Sequence, residues 1–175
     1  SVIPLAAKYG AALIGLTINE KGIPKKVAER IAIAKKIVTQ AAKAGIRKED
    51  ILIDCLTLTV SSEPEGAKLT LQAMEALKEL GLKVSLGVSN ISFGLPNRKL
   101  INSSFLSMAV GAGLDGAIIN PNDAQMMDAF LAASVLANRD KLAAKYIAEM
   151  HRRIQQQKQP PVSSFSKGDQ PAGIK

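Results

Sequence analysis

Four short runs rich in apolar residues, with little alternation, recur along the chain: AALIGLTI from Ala11, ILIDCLTL from Ile51, KVSLGVSN from Lys83 and GAIIN from Gly116. Runs of this kind, too short for buried helices, are the signature of parallel strands covered on both faces. Helix-like segments separate them. Pro24 opens the first long one, and Val27, Ile31, Ala34 and Val38 recur on one face before Gly45 closes it. Ser62 and Glu65 have the spacing of a capping box for the second. Leu71, Met74 and Leu77 form its inner stripe, and Gly81 ends it. A third runs from about Leu100 with Ile101, Phe105, Met108 and Ala112 inward, stopping at Gly113. Asn122 or Asp123 caps a fourth that carries Met127, Phe130, Leu131 and Val135, and a last helix starts near Asp140 and fades after Ile154. The first residues, SVIPLAAKY, read as the end of a further helix leading into the first strand.

Strand–helix repetition requires right-handed crossovers and a parallel sheet, giving an α/β fold. Two architectures satisfy it: an open doubly wound parallel sheet, or part of an eight-stranded barrel. A whole barrel typically takes about 250 residues, and the 175 here supply four units, so the choice lies between the open sheet and half a barrel. The expected organisation is one structured unit over 1–154. From Gln155 onward the chain is polar and rich in Pro, Ser and Gln, and 155–175 read as a disordered tail or interdomain linker.

Composition narrows the function classes. With aromatics at 3% and no Trp, the core must be aliphatic. The single cysteine, Cys55, excludes an internal disulfide or a thiolate-rich metal cluster and fits a reducing, cytoplasmic setting. No run approaches the roughly 18 apolar residues of a membrane span, and the first residues show no signal-peptide pattern. The expectation is a soluble protein with no membrane association. The net charge of +8 invites a nucleic-acid reading. However, the basic residues Lys25, Lys26, Arg30, Lys35, Lys36 and Lys43 of the first helix, and those after Arg152, have no interleaved aromatics on which bases could stack. They read as solvated surface, and no nucleic-acid partner is expected.

In either architecture ligands meet the carboxyl ends of the strands. Those ends carry Thr17, Ile18 and Asn19; Asp54, Thr57 and Thr59; Ser89 and Asn90; and Asn120, Pro121, Asn122 and Asp123. Asp54 is the most informative, because it interrupts an apolar run and a buried carboxylate is costly unless paired or hydrogen-bonded. A ligand offering paired N–H donors would suit it, and a structural bond to backbone amides is the other reading. Asn90 can donate and accept at once, or simply make a turn. Ser89 and Ser92 can cap local amides, and Asn120 before Pro121 is a turn signal as well as a site candidate. Arg98 and Lys99 can grip an acidic tail on a ligand or remain surface charges. No histidine is placed to activate Cys55, and the lone His151 falls in the basic EMHRR segment. Acyl transfer and metal-assisted hydrolysis are therefore disfavoured.

The string GVSNISFGLPNRK from Gly87, followed by FLSMAVGAGLDGAIINP and preceded by KGIPK and ILID, strongly resembles the corrinoid-dependent methyltetrahydrofolate methyltransferases. That family includes the folate domain of cobalamin-dependent methionine synthase and belongs to the wider pterin-binding class. The likeness runs from about Val2 to about Arg153 without a large gap. It implies an eight-stranded barrel of which this chain supplies the last four strands. It also implies a substrate, methyltetrahydrofolate, whose N5-methyl group passes to a corrinoid (cobalamin) held on another protein or domain. By the same resemblance Asp54 contacts the pterin ring through its ring N–H and amino donors. Asn90 reaches the N5 region and supports its protonation, Gly87 and Ser89 line the pterin slot, and Arg98 falls near the aminobenzoyl-glutamate part. Dihydropteroate synthase chemistry fits less well, since it asks for a Lys and a basic residue at strand ends where Asn90 and Asn120 stand.

The family's first four strands, with a second aspartate and an asparagine that touch the pterin, have no counterpart here. A half barrel leaves two open sheet edges and half an apolar interior. The chain is then a fragment of a longer protein, a subunit completed by an N-terminal half barrel or by a second copy of itself, or a remnant without activity. A non-catalytic module that binds a pterin or folate, or that assembles with another half barrel, is the alternative function.

Overall fold

The computed structural model describes residues 2–158. Helix α1 (Val2–Tyr9) leads into β1 (Leu13–Leu16). Then α2 (Val27–Lys43), β2 (Ile51–Asp54), α3 (Gly66–Glu79), β3 (Lys83–Gly87), α4 (Arg98–Gly111), β4 (Gly116–Ile118), α5 (Ala124–Leu136) and α6 (Ala144–Lys158) follow. All strand pairings are parallel, and the order is sequential, β1-β2-β3-β4. A doubly wound sheet reverses its order at a switch point. With right-handed crossovers and no reversal, the helices fall on one face of the sheet. The open doubly wound alternative is thereby corrected, and the four units form a barrel segment.

Parity along the strands separates the two faces. Gly15 faces Ile37 of α2, so Ile14 and Leu16 face the other way. Register carries this concave set across the sheet: Ile14 beside Leu52, Leu16 beside Asp54, Asp54 beside Ser85, Ser85 beside Gly116 and Gly87 beside Ile118. The helix-covered set, Ile51, Ile53, Val84 and Leu86, packs into the core with Ala34, Met74, Leu77, Phe105 and Leu106. Burial on both faces is not observed at the flanks: Ile14 is 54% and Ile118 63% exposed on the concave side. Among the described residues the sheet has no strand beyond β1 or β4, and these side chains lack the opposing layer that a closed barrel provides.

Helix ends follow the sequence at several points. Gly113 adopts φ +95°, and its N–H reaches Val110 O (3.1 Å) while Leu114 N reaches Ala109 O (3.0 Å), a Schellman stop for α4. Asp123 caps α5 by accepting from the amides of Gln125 and Met126. Asp140 accepts from Lys145 N (3.1 Å) and Tyr146 N (2.9 Å) at the start of α6, and these amides hold its carboxyl below the usual range. Helix α6 continues past Ile154 to Lys158, and the rest of the expected tail lies outside the described residues.

Other expectations are corrected. Ser62 and Glu65 form no capping box: the Ser62 hydroxyl turns back to Thr59 O, and Glu65 has no side-chain cap bond. Pro24 precedes α2 by a short turn rather than opening it. Helix α4 starts at Arg98, and its buried face is rotated to Asn102, Phe105, Leu106 and Ala109, leaving Met108 exposed. On α5 Met126 and Ala133 are the buried positions, while Phe130 is exposed.

Candidate functional site

The carboxyl end of β2 is a tightly tied turn. Asp54, only 7% exposed, accepts from Leu56 N–H through Oδ1 (2.8 Å), and its carbonyl accepts from both the amide and the hydroxyl of Thr17 (3.1 Å each). Oδ2 has no hydrogen-bond partner among the described residues. Burial raises the Asp54 pKa, and the Leu56 amide lowers it in part. Leu56 sits at φ +59°, a left-handed conformation uncommon for a branched apolar residue. Cys55 beside it is buried, and burial pushes its thiol up to about 12, which makes it a structural residue rather than a nucleophile.

That turn is closed by a residue the sequence reading assigned to solvent. Arg30 of α2 is 0% exposed. It donates from Nε to Pro24 O (2.9 Å) and from Nη1 to Cys55 O (2.6 Å), Leu56 O (3.1 Å) and Thr70 Oγ1 (3.4 Å), leaving only Nη2 without a partner. The available signal was its position. Residue 30 falls between Val27 and Ala34 at helical spacing, on the inward stripe, where a cation has no reason to be unless it is bonded.

At the end of β3 the chain enters a 3-10 turn, Val88–Ser92. Gly87 opens toward the concave side; a Cβ placed there would meet only Asn90 Nδ2, at 4.0 Å, so the Asn90 amide lies over this strand end. Ser89 and Asn90 are exposed. The turn is held by Arg98, which follows Asn97 in a left-handed conformation (φ 47°) and donates from Nε to Ser92 Oγ (3.0 Å) and from Nη2 to Ser89 O (2.7 Å). Ser92, fully buried, donates to Asn102 Oδ1 (2.6 Å). The Arg98 guanidinium also stands 5.9 Å from the centre of the exposed Phe93 ring.

The two turns are stitched together. Val60 N donates to Ile91 O (3.0 Å), Thr59 Oγ1 to Phe93 O (2.7 Å) and Ser61 Oγ to Phe93 O (2.8 Å). Ser85, beside Asp54 in register, is buried with its hydroxyl unpartnered, as is the hydroxyl of Thr57. Asn120 stands apart at the end of β4: its Oδ1 accepts from Asn122 N (3.0 Å), a local turn. The structure thus brings Asp54, Gly87, Ser89 and Asn90 to neighbouring strand ends, gives Arg98 a loop-holding contact, and commits the Asn120 oxygen to its own turn.

The sequence and the fold both have counterparts among known proteins. The family model for pterin-binding enzymes matches residues 1–120. This chain belongs to that family. Its curated relatives include the methylcorrinoid:tetrahydrofolate methyltransferase of Eubacterium limosum, 32% identical over 136 residues, covering 77% of this chain and 50% of the relative. The methionine synthase of Mycobacterium leprae is 38% identical over 125 residues, covering 66% of this chain and 10% of that protein. The chain therefore spans about half of the first relative and a small part of the second. Among solved structures, a dihydropteroate synthase from Coxiella burnetii in complex with pteroic acid matches with TM-score 0.63 at 16% identity, covering 80% of this chain and 56% of that one. The Yersinia pestis dihydropteroate synthase matches with TM-score 0.61 at 14% identity, covering 77% and 58%. The structural likeness shows the fold, and it fits the resemblance read from the GVSNISFGLPNRK string. Among the described residues no helix is long and apolar enough to cross a membrane.

Proposed function

We propose that this chain supplies the Asp54 and Asn90 side of a pterin site used to transfer the N5-methyl group of methyltetrahydrofolate to a corrinoid carried by another protein or domain. The observation that carries the reading is a carboxylate whose Oδ1 is fixed by Leu56 N–H and whose Oδ2 has no partner among the described residues, on the strand next to the end left open at Gly87. A carboxylate held this way accepts from adjacent ring N–H and amino donors of a pterin. Asn90, over Gly87, lies within the same concave mouth and would hydrogen-bond near N5. The N5 nitrogen of a tertiary amine is a poor leaving group when its methyl is displaced, so N5 must gain positive character in the transition state, and an amide oriented to support that protonation stabilises the transition state more than the bound substrate. Ser89 lines the slot; Arg98, whose Nη1 makes no bond among the described residues, faces the aminobenzoyl-glutamate part. Asn120 is a turn residue first and a contact to the substrate second. The corrinoid supplies the cobalt nucleophile that accepts the methyl group.

The exposed apolar residues Ile14, Leu16 and Ile118 favour a second element in the same reading: the concave face is completed by further βα units, on the same polypeptide, on a complementing half barrel, or on a second copy. Without them the chain would act as a non-catalytic pterin-binding or assembly module. A calorimetric titration of the chain at known oligomeric mass with methyltetrahydrofolate tests this. Saturable binding abolished in Asp54→Ala and retained in Asn90→Ala, with methyl transfer to cob(I)alamin lost in Asn90→Ala, is the expected pattern. Binding insensitive to Asp54 overturns it.

A further inference from the structure

We infer that Arg30 is the positioning residue of this site, acting through the Cys55–Leu56 backbone to hold the Asp54 carboxylate in its ligand-accepting orientation. This rests on the reading of Asp54 as the pterin contact, but the inference can be tested without any ligand. The turn that gives Asp54 Oδ1 its Leu56 N–H partner carries Leu56 at φ +59°, a region that a leucine leaves readily. The Leu56 carbonyl is what prevents it: it accepts from Arg30 Nη1 at 3.1 Å and from the Thr70 hydroxyl at 3.3 Å, while Cys55 O accepts from Nη1 at 2.6 Å. The single Thr70 hydroxyl proton is shared with Gly66 O, at 2.9 Å, so the first turn of α3 is tied to the same point. One planar cation therefore binds α2, the strand end and α3 at the position where the backbone is strained.

The geometry also rules out the simpler role of countercharge. Among the described residues every polar contact of Arg30 is to a carbonyl or a hydroxyl, and no carboxylate pairs with it. Lysine has neither the fork nor the reach to bond Pro24, Cys55 and Leu56 together. Oriented buried donors of this sort stabilise a strained turn only while all are present.

Cys55, the only cysteine of the chain, is a built-in reporter because it is buried in the turn itself. The experiment compares Arg30→Lys, Thr70→Val and Leu77→Ala, the last a core cavity at the far end of α3, each at the same interval below its own thermal midpoint. If Arg30 holds the turn, Arg30→Lys labels at Cys55 with a disulfide reagent at least about tenfold faster than Leu77→Ala, and Thr70→Val changes in the same direction by less. The Asp54 carboxyl, followed by carbon NMR, shifts its titration in Arg30→Lys relative to the parent chain, because the turn sets both its burial and its bond to the Leu56 amide. Leu56→Gly added to Arg30→Lys restores slow labelling, since glycine occupies the left-handed region without strain. Labelling no faster than in Leu77→Ala with an unmoved Asp54 titration overturns the inference; if Arg30→Lys does not fold, Thr70→Val alone decides it on the same two readouts. Methyltetrahydrofolate binding is read separately: Arg30→Lys in the otherwise unaltered chain weakens it. Absence of binding by the parent chain defeats the proposed function and leaves the labelling and titration results to decide the role of Arg30.

Discussion

Two arginines hold the two turns that carry the candidate site, and they do so in opposite environments. Arg30 is fully buried and locks the β2 turn through three backbone carbonyls, while Arg98 is exposed and locks the β3 turn through Ser92 and the Ser89 carbonyl. The strand end that positions a carboxylate is rigid and dry. The one that positions an amide is closer to solvent. Burial of Asp54 needs an enclosing turn, since desolvation is what raises its pKa and makes its free oxygen a demanding acceptor. Asn90, neutral, needs only orientation, and its loop can remain near water.

If burial is the distinction, the largest effect is expected at Arg30. Arg30→Met should lower stability by about 3 kcal/mol or more, because buried carbonyls lose charged donors with no water to replace them. Denaturant unfolding measures this, and a loss below about 1 kcal/mol would erase the contrast. Asp54→Asn is next and separates binding from stability. Its amide oxygen can still accept from Leu56 N–H, so the turn persists, while pterin affinity should fall by about tenfold or more, or about 1.4 kcal/mol. The same substitution should alter the pH dependence of stability. The raised Asp54 pKa gives a stabilising contribution that is full below the ordinary aspartate range and is lost as pH rises through the shifted value. Removing the ionisable group should therefore make the chain relatively more stable at neutral pH than in acid, read as the difference in unfolding midpoint between the two forms.

Arg98→Ala is expected to be milder. It removes two bonds at a solvent-accessible loop, so stability should change by about 1 kcal/mol or less, with a few-fold loss of binding through Asn90. Urea unfolding beside calorimetry checks the split. The smallest effect is reserved for the residue before it: Asn97→Gly should stabilise by a few tenths of a kcal/mol, because asparagine already tolerates its left-handed conformation at φ 47°. A large loss there would mean that the Asn97 side chain has a role that its lack of a cap bond does not suggest.

The strands were legible because a buried strand at the centre of a parallel sheet is largely apolar, as Ile51–Asp54 is, whereas Lys83–Gly87 alternates, with Val84 and Leu86 toward the helices and Ser85 on the concave face. The edges read identically and yet expose Ile14 and Ile118, because a sequence records what a face is made for and not what covers it. Asp54 stood out as a charge inside an apolar run, and Asn90 through the motif around it. Arg30 was missed for the mirror-image reason. Surrounded by lysines on an amphipathic helix, it looked like one more surface cation, and only its phase relative to Val27 and Ala34 distinguished it. The capping box failed because the Ser62 hydroxyl had a nearer acceptor in Thr59 O, a competition that spacing alone does not rank.

The most direct test is an amide NMR map of the chain titrated with methyltetrahydrofolate. Shift changes concentrated at Asp54–Leu56 and Gly87–Asn90, and absent from the Asp54→Ala chain, are expected if these two turns form one side of a pterin slot. Saturable changes centred elsewhere, or unaltered by loss of the Asp54 carboxylate, would contradict it.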